Sequence, residues 1–437
     1  MALLEVKNLK VHFKIQSGWV KAVDGVSFTI ESGQTMGLVG ESGCGKTTAA
    51  YAITQLLPPN GYIKGGHIYY KEPPAVTKYR QEYERQFEAA QAPYDGKISD
   101  LAGRIAALRE DGKAPQAEME TLEQKLAKLE LSRLSAASKA MAAELRKVKA
   151  GLARGGANAA ELKMRLAALE HRHDLLKISM RKDGSLDDYN EKVRKIRWTE
   201  ISMIFQGAMN AFNPVFRVGD QIKEAIQLHE DVDDDAAEKR AKELFEFVGI
   251  NPDRIDNYPH EFSGGMKQRA MIALALALSP SFIIADEPTT ALDVITQDRV
   301  LAEIKKLQKE WNMAMMIITH DVSVVAEVSD NIGVMYAGLM MEMGPTAEVF
   351  KRTAHPYTAG LLNSFPSIKG PRRRLESIPG FPPDLVNPPS GCPFHPRCQY
   401  ARDKCRQERP KAVMAGPAHT SFCHFALELR DKLRRES

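Results

Sequence analysis

Long apolar runs are missing from this chain: no stretch of about 18 apolar residues occurs, so nothing in it reads as a membrane-spanning helix. A strong charge of either sign is missing too. With 60 basic and 56 acidic residues the net charge is only +4 over 437 residues, which gives no argument for a nucleic-acid partner. The opening residues Met1 to Val6 lack the basic-then-apolar layout and small-residue cleavage site of a signal peptide, so the chain is expected in the cytosol. Membrane attachment is then expected only through partners. Cysteine is scarce, with five residues, and four of these crowd into 392–423. In a reducing compartment such crowding suggests metal ligation more than disulfides. The rest is ordinary: 43% hydrophobic and 27% charged residues, over a length sufficient for two or three domains and a large core.

Against that plain background one segment stands out. Gly40-Glu41-Ser42-Gly43-Cys44-Gly45-Lys46-Thr47-Thr48 satisfies the P-loop pattern G-x-x-x-x-G-K-[ST] at every fixed position. Phosphate is a bulky polyanion, and glycines let several backbone N–H groups turn inward around it. Lys46 supplies a point charge for the β- and γ-phosphates, and the Thr47 hydroxyl can ligate Mg²⁺. Thr35 to Val39 upstream reads as a short buried strand, and Thr47 to Leu57 downstream as a helix whose N-terminal dipole also favours phosphate. The chain is expected to bind a nucleotide.

Further elements follow in a fixed order. Ser281 to Glu287 is an apolar strand ending in two carboxylates, a Walker B arrangement. Asp286 at its end can hold Mg²⁺ through water, and Glu287 is positioned as general base for the attacking water. Phe262-Ser263-Gly264-Gly265-Met266-Lys267-Gln268-Arg269 precedes that strand and makes a second phosphate-binding helix start. Gln206 ends the strand 201–205, Ala291-Leu292-Asp293 follows the acids, and His320 ends the strand 314–319. A lone Gln or His at a strand end is usually structural; five such elements in one order point to a single machine.

With these residues the chain resembles the ATP-hydrolysing subunit of an ABC transporter, having P-loop, Q-loop, signature, Walker B, D-loop and H-loop. The resemblance implies an α/β fold: a parallel α/β core, an antiparallel β portion and a helical signature subdomain. It also implies a head-to-tail dimer with two ATP molecules between subunits, each P-loop facing the opposite signature. Lys46, Thr47 and Thr48 would hold phosphates and Mg²⁺, with Gln206 reaching metal and attacking water. Glu287 would be the base and His320 would contact the γ-phosphate. Ser263, Gly264 and Gly265 would serve the partner's ATP, and Asp293 would lie at the dimer seam. Met266 stands where the commonest signature has Gln, so that polar contact is lost. For the aromatic residue that stacks on adenine, Phe13 fits by position, with Trp19 as second choice; either could instead be a packing residue.

Three further stretches narrow the resemblance: Glu200 to Asp220 with its Asn213-Pro214 loop, His260-Glu261 before the signature, and His355-Pro356-Tyr357-Thr358 opening a C-terminal extension. They are similar to the D-type ATPase of di- and oligopeptide importers, a family that also serves nickel and oligosaccharides. That implies a second, F-type ATPase subunit, two transmembrane permease subunits, an extracellular solute-binding protein, and a place at the cytoplasmic face of the cell membrane. Motion would pass to the permeases through the region from Gln206 to Val218.

In the extension, Cys392, Cys398, Cys405 and Cys423 could hold tetrahedral zinc or an iron–sulfur cube. No tight C-x2–4-C knuckle occurs, and the uneven spacing together with the resemblance favours a [4Fe-4S] cluster. His395, His419 and His424 keep a mixed His/Cys zinc site open. Prolines 389, 393 and 396 suggest an irregular loop around the centre. Cys44 is separate, and its place in the P-loop is expected to make the ATP site sensitive to thiol alkylation.

Between the P-loop and Gln206 the chain is much longer than this fold needs. Leu122, Leu126 and Leu129 form one 4–3 seam and Leu162, Leu166, Leu169, His173 and Leu176 another, as expected of two antiparallel helices zipped into a coiled hairpin. The expected organisation is thus an ATPase head at 1–71 and 198–340, an insertion at 72–197, and an extension at 341–437. A coil also interrupts the heads of chromosome-maintenance (SMC) and DNA-repair ATPases, which makes them the alternative reading. There, however, it follows the Q-loop, whereas here it precedes Gln206.

Overall fold

In the computed structural model, residues 2–72, 74–111, 116–154, 159–180, 196–207, 211–288, 294–364 and 378–433 are described. The chain folds as two compact units, one formed by Met1–Ile68 with Asp188–Ser437 and the other by Tyr69–Asp187.

Two sheets build the first unit. Strands β1 (Ala2–Ile15) and β2 (Gly18–Glu31) pair antiparallel across a two-residue turn, with Leu4, Val6, Leu9 and Val11 of β1 buried. After β3 (Thr35–Val39) and helix α1 (Lys46–Thr54), β4 (Gly61–Tyr70) joins β1 on its other edge, giving the order β2-β1-β4.

The second sheet carries the chemistry. Strands β3, β5 (Ile201–Ile204), β6 (Phe282–Asp286) and β7 (Ala314–Ile318) are four- or five-residue runs buried throughout. Continuous apolar runs suit parallel strands covered on both faces. They pair in parallel in the order β3-β7-β6-β5. On the other side of β3 come β8 (Asn331–Tyr336), parallel to it, and then β9 (Leu339–Pro345), antiparallel to β8. The helices Val218–His229, Asp234–Phe247 and Gly264–Leu276 pack through Ile222, Ile226, Phe245 and Ile272 onto Ile204, Ile283 and Ile317 of the sheet.

In the C-terminal extension the described stretch 378–394, which holds Pro389 and Pro393, carries no helix or strand, as expected. Beyond it the extension contributes β10 (Val413–Gly416) and β11 (His419–Ser421), and β11 pairs with β9, so the core sheet reaches eight strands. One carboxylate fixes this join. Glu342 on β9 is fully buried and accepts from Ala354 N at 2.6 Å, His355 N at 3.2 Å and His419 Nε2 at 2.7 Å.

The second unit is a three-helix assembly of α2 (Pro74–Asp111), α3 (Gln116–Arg154) and α4 (Ala159–Met180). This corrects the expected two-helix coiled hairpin. Leu122 packs with Leu101 and Ile105 of α2, with Leu126 and Leu129 alongside. Leu162, Leu166 and Leu169 pack instead with Tyr83 and Phe87 of α2 and Met141, Leu145 and Val148 of α3. The two seams therefore do not face each other, and α2, which runs through Pro93, is the partner that the periodicity did not reveal. The side chains of His173 and Leu176 lie outside the described residues.

Replacing Glu342 with Ala leaves His419 and two buried backbone N–H groups without their acceptor. The Glu342→Ala variant should unfold at a lower urea midpoint, losing about 1–3 kcal/mol for each buried group left without its acceptor. A midpoint within error of the parent chain would show that β11 is not held by this carboxylate.

Candidate active site

Strand order explains why residues scattered over 280 positions meet. Because β3, β7, β6 and β5 are neighbours and parallel, the segments following their carboxyl ends lie side by side. Those segments carry, in that order, the P-loop, His320, Glu287 and Gln206.

Glycine is obligatory at two points of the P-loop. Gly40 and Gly45 have φ of +152° and +102°, and a Cβ on either would approach a backbone oxygen, Met335 O or Ala22 O, to 2.1 Å. Gly45 is also the N-cap of α1, so Lys46, Thr47 and Thr48 form the first helical turn. Ser42 and Gly43 are exposed at the loop tip. Lys46 is buried; its ammonium donates to Gly40 O at 2.8 Å and Glu41 O at 3.0 Å and lies 3.7 Å from Cys44 Sγ. Cys44 is itself buried, and burial pushes its thiol pKa up, with Lys46 opposing. A buried protonated thiol is a poor nucleophile, so the expected sensitivity to alkylation does not fit this loop.

The three strand-end residues converge on one carboxylate. Gln206 Nε2 donates to Glu287 Oε2 at 2.9 Å, and His320 Nδ1 lies 3.1 Å from Glu287 Oε1. Glu287 holds a left-handed backbone, φ +49°, pinned by its N–H donating to Ile318 O at 2.8 Å. A non-glycine residue in that region is strained by roughly 1–3 kcal/mol, a cost that concentrates at functional sites. Such a backbone turns the side chain away from the strand line and between Gln206 and His320.

Asp286, one residue earlier, is fully buried, and neither carboxylate oxygen has a hydrogen-bond partner. Burial pushes its pKa up to about 6; the Thr47 hydroxyl opposes this, the Glu287 charge adds to it, and Lys46 opposes it. An orphaned pair of hard oxygens beside a threonine hydroxyl fits a divalent cation such as Mg²⁺, which takes one or two carboxylates along with substrate phosphates. Thr47 and Asp286 are the residues here that fit the metal, while Gln206, expected to join them, bonds Glu287 instead.

The signature residues form the start of the helix Gly264–Leu276. Ser263 caps it, accepting from Met266 N at 3.3 Å, and stays exposed with Gly264 and Gly265 at its side. Gln268, to which the sequence reading gave no role, is buried and donates to Pro288 O at 2.5 Å, tying this helix to the turn after Glu287. Phe13 is half-buried opposite Val20 and lies against Gly61. Trp19 stands edge-on to Tyr62 at 5.5 Å, with the Lys64 ammonium 3.9 Å over its ring. Asp293 lies outside the described residues.

Cys392, Cys398, Cys405 and Cys423, with His395 and His424, line one cavity of about 20 Å³. Burial pushes the Cys392 thiol up to about 12 and the Cys423 thiol up to about 11, with neighbouring thiolates adding to both. His419 is not with them; it serves Glu342. Among the described residues no group of three or more His, Cys, Asp or Glu side chains is arranged to hold a metal ion, so the expected metal-bearing extension is not seen as a formed site. The donors converge, but the space would hold about one water.

Known proteins resemble the chain along nearly its whole length. The family model described as "ABC transporter" matches residues 23–170 and 173–290, and that described as "Oligopeptide/dipeptide transporter, C-terminal region" matches 341–405. The oligopeptide transport ATP-binding protein OppD of Haemophilus influenzae is 33% identical over 429 residues, 98% of either chain. The dipeptide transport ATP-binding protein DppD of Bacillus subtilis is 34% identical over 424 residues, 96% of this chain and 94% of its own. Among solved structures, the ATP-binding cassette MJ0796 in a dimeric post-hydrolysis state with ADP and Pi is 19% identical at a TM-score of 0.48, covering 78% of this chain and 98% of that one.

The buried Asp286 gives a pH test. Its folded pKa of about 6 lies above the ordinary 3.8, so the folded chain holds that proton more tightly than the unfolded chain. Stability is then lost as pH rises from about 4 to 6 and stays reduced above, by about 3 kcal/mol. Without nucleotide, Asp286→Asn should melt at a higher temperature than the parent at neutral pH, with the gap closing near pH 4. Equal melting temperatures across that range would contradict a costly buried charge.

Proposed function

Since this chain belongs to the oligopeptide/dipeptide family of ABC transporter ATP-binding subunits, we propose that it powers the uptake of di- or oligopeptides by hydrolysing ATP at the site built around Glu287. The observation that carries this is the Gln206–Glu287–His320 arrangement, in which two strand-end side chains hold one carboxylate at the same sheet edge that carries the P-loop. Glu287 accepts the proton of the attacking water, Gln206 orients that water, and His320 steadies the carboxylate and contacts the γ-phosphate. The P-loop amides and Lys46 draw charge off the phosphates, so catalysis is chiefly electrostatic positioning. Magnesium, held by Thr47 and Asp286, would supply further neutralisation of phosphate charge. Phe13 is the adenine-stacking residue, because Lys64 already covers Trp19.

In this reading Ser263, Gly264 and Gly265 complete the ATP site of a second head, with Asp293 at the seam. That head is an F-type paralogue. The pair acts on two transmembrane permease subunits at the cytoplasmic face of the membrane, and a separate extracellular protein selects the solute. An apolar cavity of about 310 Å³ beside the Q-loop, lined by Trp198, Met203, Phe205 and Met271 among others, is suited to receive a permease segment. The near-balanced charge and the position of the insertion before Gln206 weigh against the SMC-like alternative. We also propose a [4Fe-4S] cluster on Cys392, Cys398, Cys405 and Cys423. Four cysteines lining one cavity, three of them buried and Cys398 half-buried, support it, and their uneven spacing without a tight C-x2–4-C knuckle favours a cube over zinc. Loading it requires the thiol-bearing segments to part.

Glu287→Gln should bind MgATP with unchanged affinity but turn it over about 10²- to 10⁴-fold more slowly, and reconstituted peptide uptake should fall with it. Normal hydrolysis by that variant would remove Glu287 as the base. Anaerobically purified full-length chain should contain iron and acid-labile sulfide in equal amounts and absorb in the visible; a colourless, iron-free chain defeats the cluster.

A further inference from the structure

The C-terminal extension reaches the nucleotide loop itself. Glu41, at a variable position of the P-loop pattern, is gripped at three places. Its carbonyl accepts from Lys46 Nζ at 3.0 Å. Its N–H donates to the hydroxyl of Tyr357 at 3.0 Å, and its carboxylate accepts two bonds from Arg397, Nη1 to Oε2 at 2.8 Å and Nη2 to Oε1 at 3.1 Å. Two of the three grips come from beyond residue 340, out of reach of the P-loop's own strand and helix.

Arg397 is built into its place. A guanidinium has five N–H donors in a rigid fork. Here the remaining three go to Pro379 O at 2.7 Å, Ile378 O at 3.4 Å and Tyr336 Oη at 3.2 Å, so all five are satisfied. Its side chain is only 7% exposed. Around it Tyr336, Tyr357 and Phe394 stack with centroids 4.6 to 5.3 Å apart. Arg397 sits in the one-turn helix His395–Arg397, and Tyr357 in the helix Pro356–Asn363.

We propose that Arg397 and Tyr357 are positioning residues for ATP: by fixing Glu41 from the extension, they hold the P-loop backbone in the phosphate-receiving conformation. The physical reason is leverage. Lys46 must leave the Gly40 and Glu41 carbonyls to meet the β- and γ-phosphates, and the loop must not follow it. A bidentate, largely buried carboxylate–guanidinium pair supplies a fixed point, whereas a lone flexible Glu41 would let the exposed tip Ser42-Gly43 relax between several shapes. Nucleotide binding would then bear the ordering cost. The inference rests on the ATPase reading above but concerns binding rather than bond cleavage.

The test is steady-state ATPase of the full-length chain in its assembled complex, with affinity measured separately by a fluorescent ATP analogue. Arg397→Ala and Glu41→Gln should each raise KM for MgATP about tenfold and weaken analogue binding in step, with kcat changed less than about threefold. Arg397→Lys, which keeps charge but loses the fork, should fall between, and Tyr357→Phe should raise KM by about threefold. Arg397→Ala combined with Glu41→Gln should be no worse than either alone, because both remove one interaction. Arg402→Ala, which breaks the surface pair of the same extension with Glu428, should leave KM unchanged. Unchanged KM in Arg397→Ala and Glu41→Gln, or additive effects in the double variant, would overturn the proposal. An inactive parent complex would instead overturn the ATPase reading.

Discussion

A triphosphate can be surrounded by backbone amides only where side chains are absent, and that constraint organises the first unit of this protein. Gly40 and Gly45 lie so close to Met335 O and Ala22 O that a methyl group at either would overlap backbone. The loop is therefore wedged between β8 and β2, and both must be in register before it can close. Gly338 N, donating to Cys44 O at 3.0 Å, and Asp24 N, donating to Gly338 O at 2.8 Å, carry that register from the β8–β9 turn through the loop's neighbour to the antiparallel sheet. The phosphate site is thus a property of the assembled strands, and no isolated segment contains it.

The chemistry follows from the same strand order. Parallel neighbours deliver their carboxyl-terminal segments to one edge, and each segment spends a single polar residue there. This is why the active site could be read from the chain: the fixed pattern of the P-loop and the apolar runs ending in Gln206, Glu287 and His320 are local signals, and parallel pairing converts their order into proximity. The left-handed backbone of Glu287 was not legible, because glutamate gives no hint of positive φ. Nor was the Arg397–Glu41 pair, whose partners stand 356 residues apart and belong to no shared periodic pattern. In the inserted unit, leucine spacing revealed α3 and α4, but α2 carries Pro93 and Gly96 within it and a diffuse apolar face. Its role as a third packing partner emerges only from the contacts of Tyr83, Phe87, Leu101 and Ile105. Strands β10 and β11, four and three residues long, are too short for alternation to show.

The two halves of the first unit are held by different physics. Helices of the signature side join the sheet through a wholly apolar core of Ile, Leu, Val, Met, Ala and Phe. Apolar contacts are non-directional, so this joint is held by close packing rather than by paired groups. The extension is joined by directional groups instead: Glu342 with His419 and Arg397 with Glu41. Buried pairs of this kind add little net stability over apolar contacts of the same volume, but a wrong register leaves charges unpaired at several kcal/mol. The extension therefore has one docked position.

That difference assigns the moving and the fixed parts. In the proposed closure on ATP the signature helix would shift relative to the P-loop, with Gln268 linking the helix start to the turn beyond Glu287. The P-loop has to stay fixed through the same cycle, since its amides must fit phosphate before cleavage and release it afterwards. Directional pairs from the extension meet that requirement, because they lose their full value over displacements that an apolar contact would tolerate. The thiol-lined cavity belongs to the fixed half: Cys392 and Cys398 bracket the one-turn helix that ends in Arg397. The proposed cluster would therefore sit on a segment bonded to the nucleotide loop through Arg397, which ties rigidity there to geometry at Glu41.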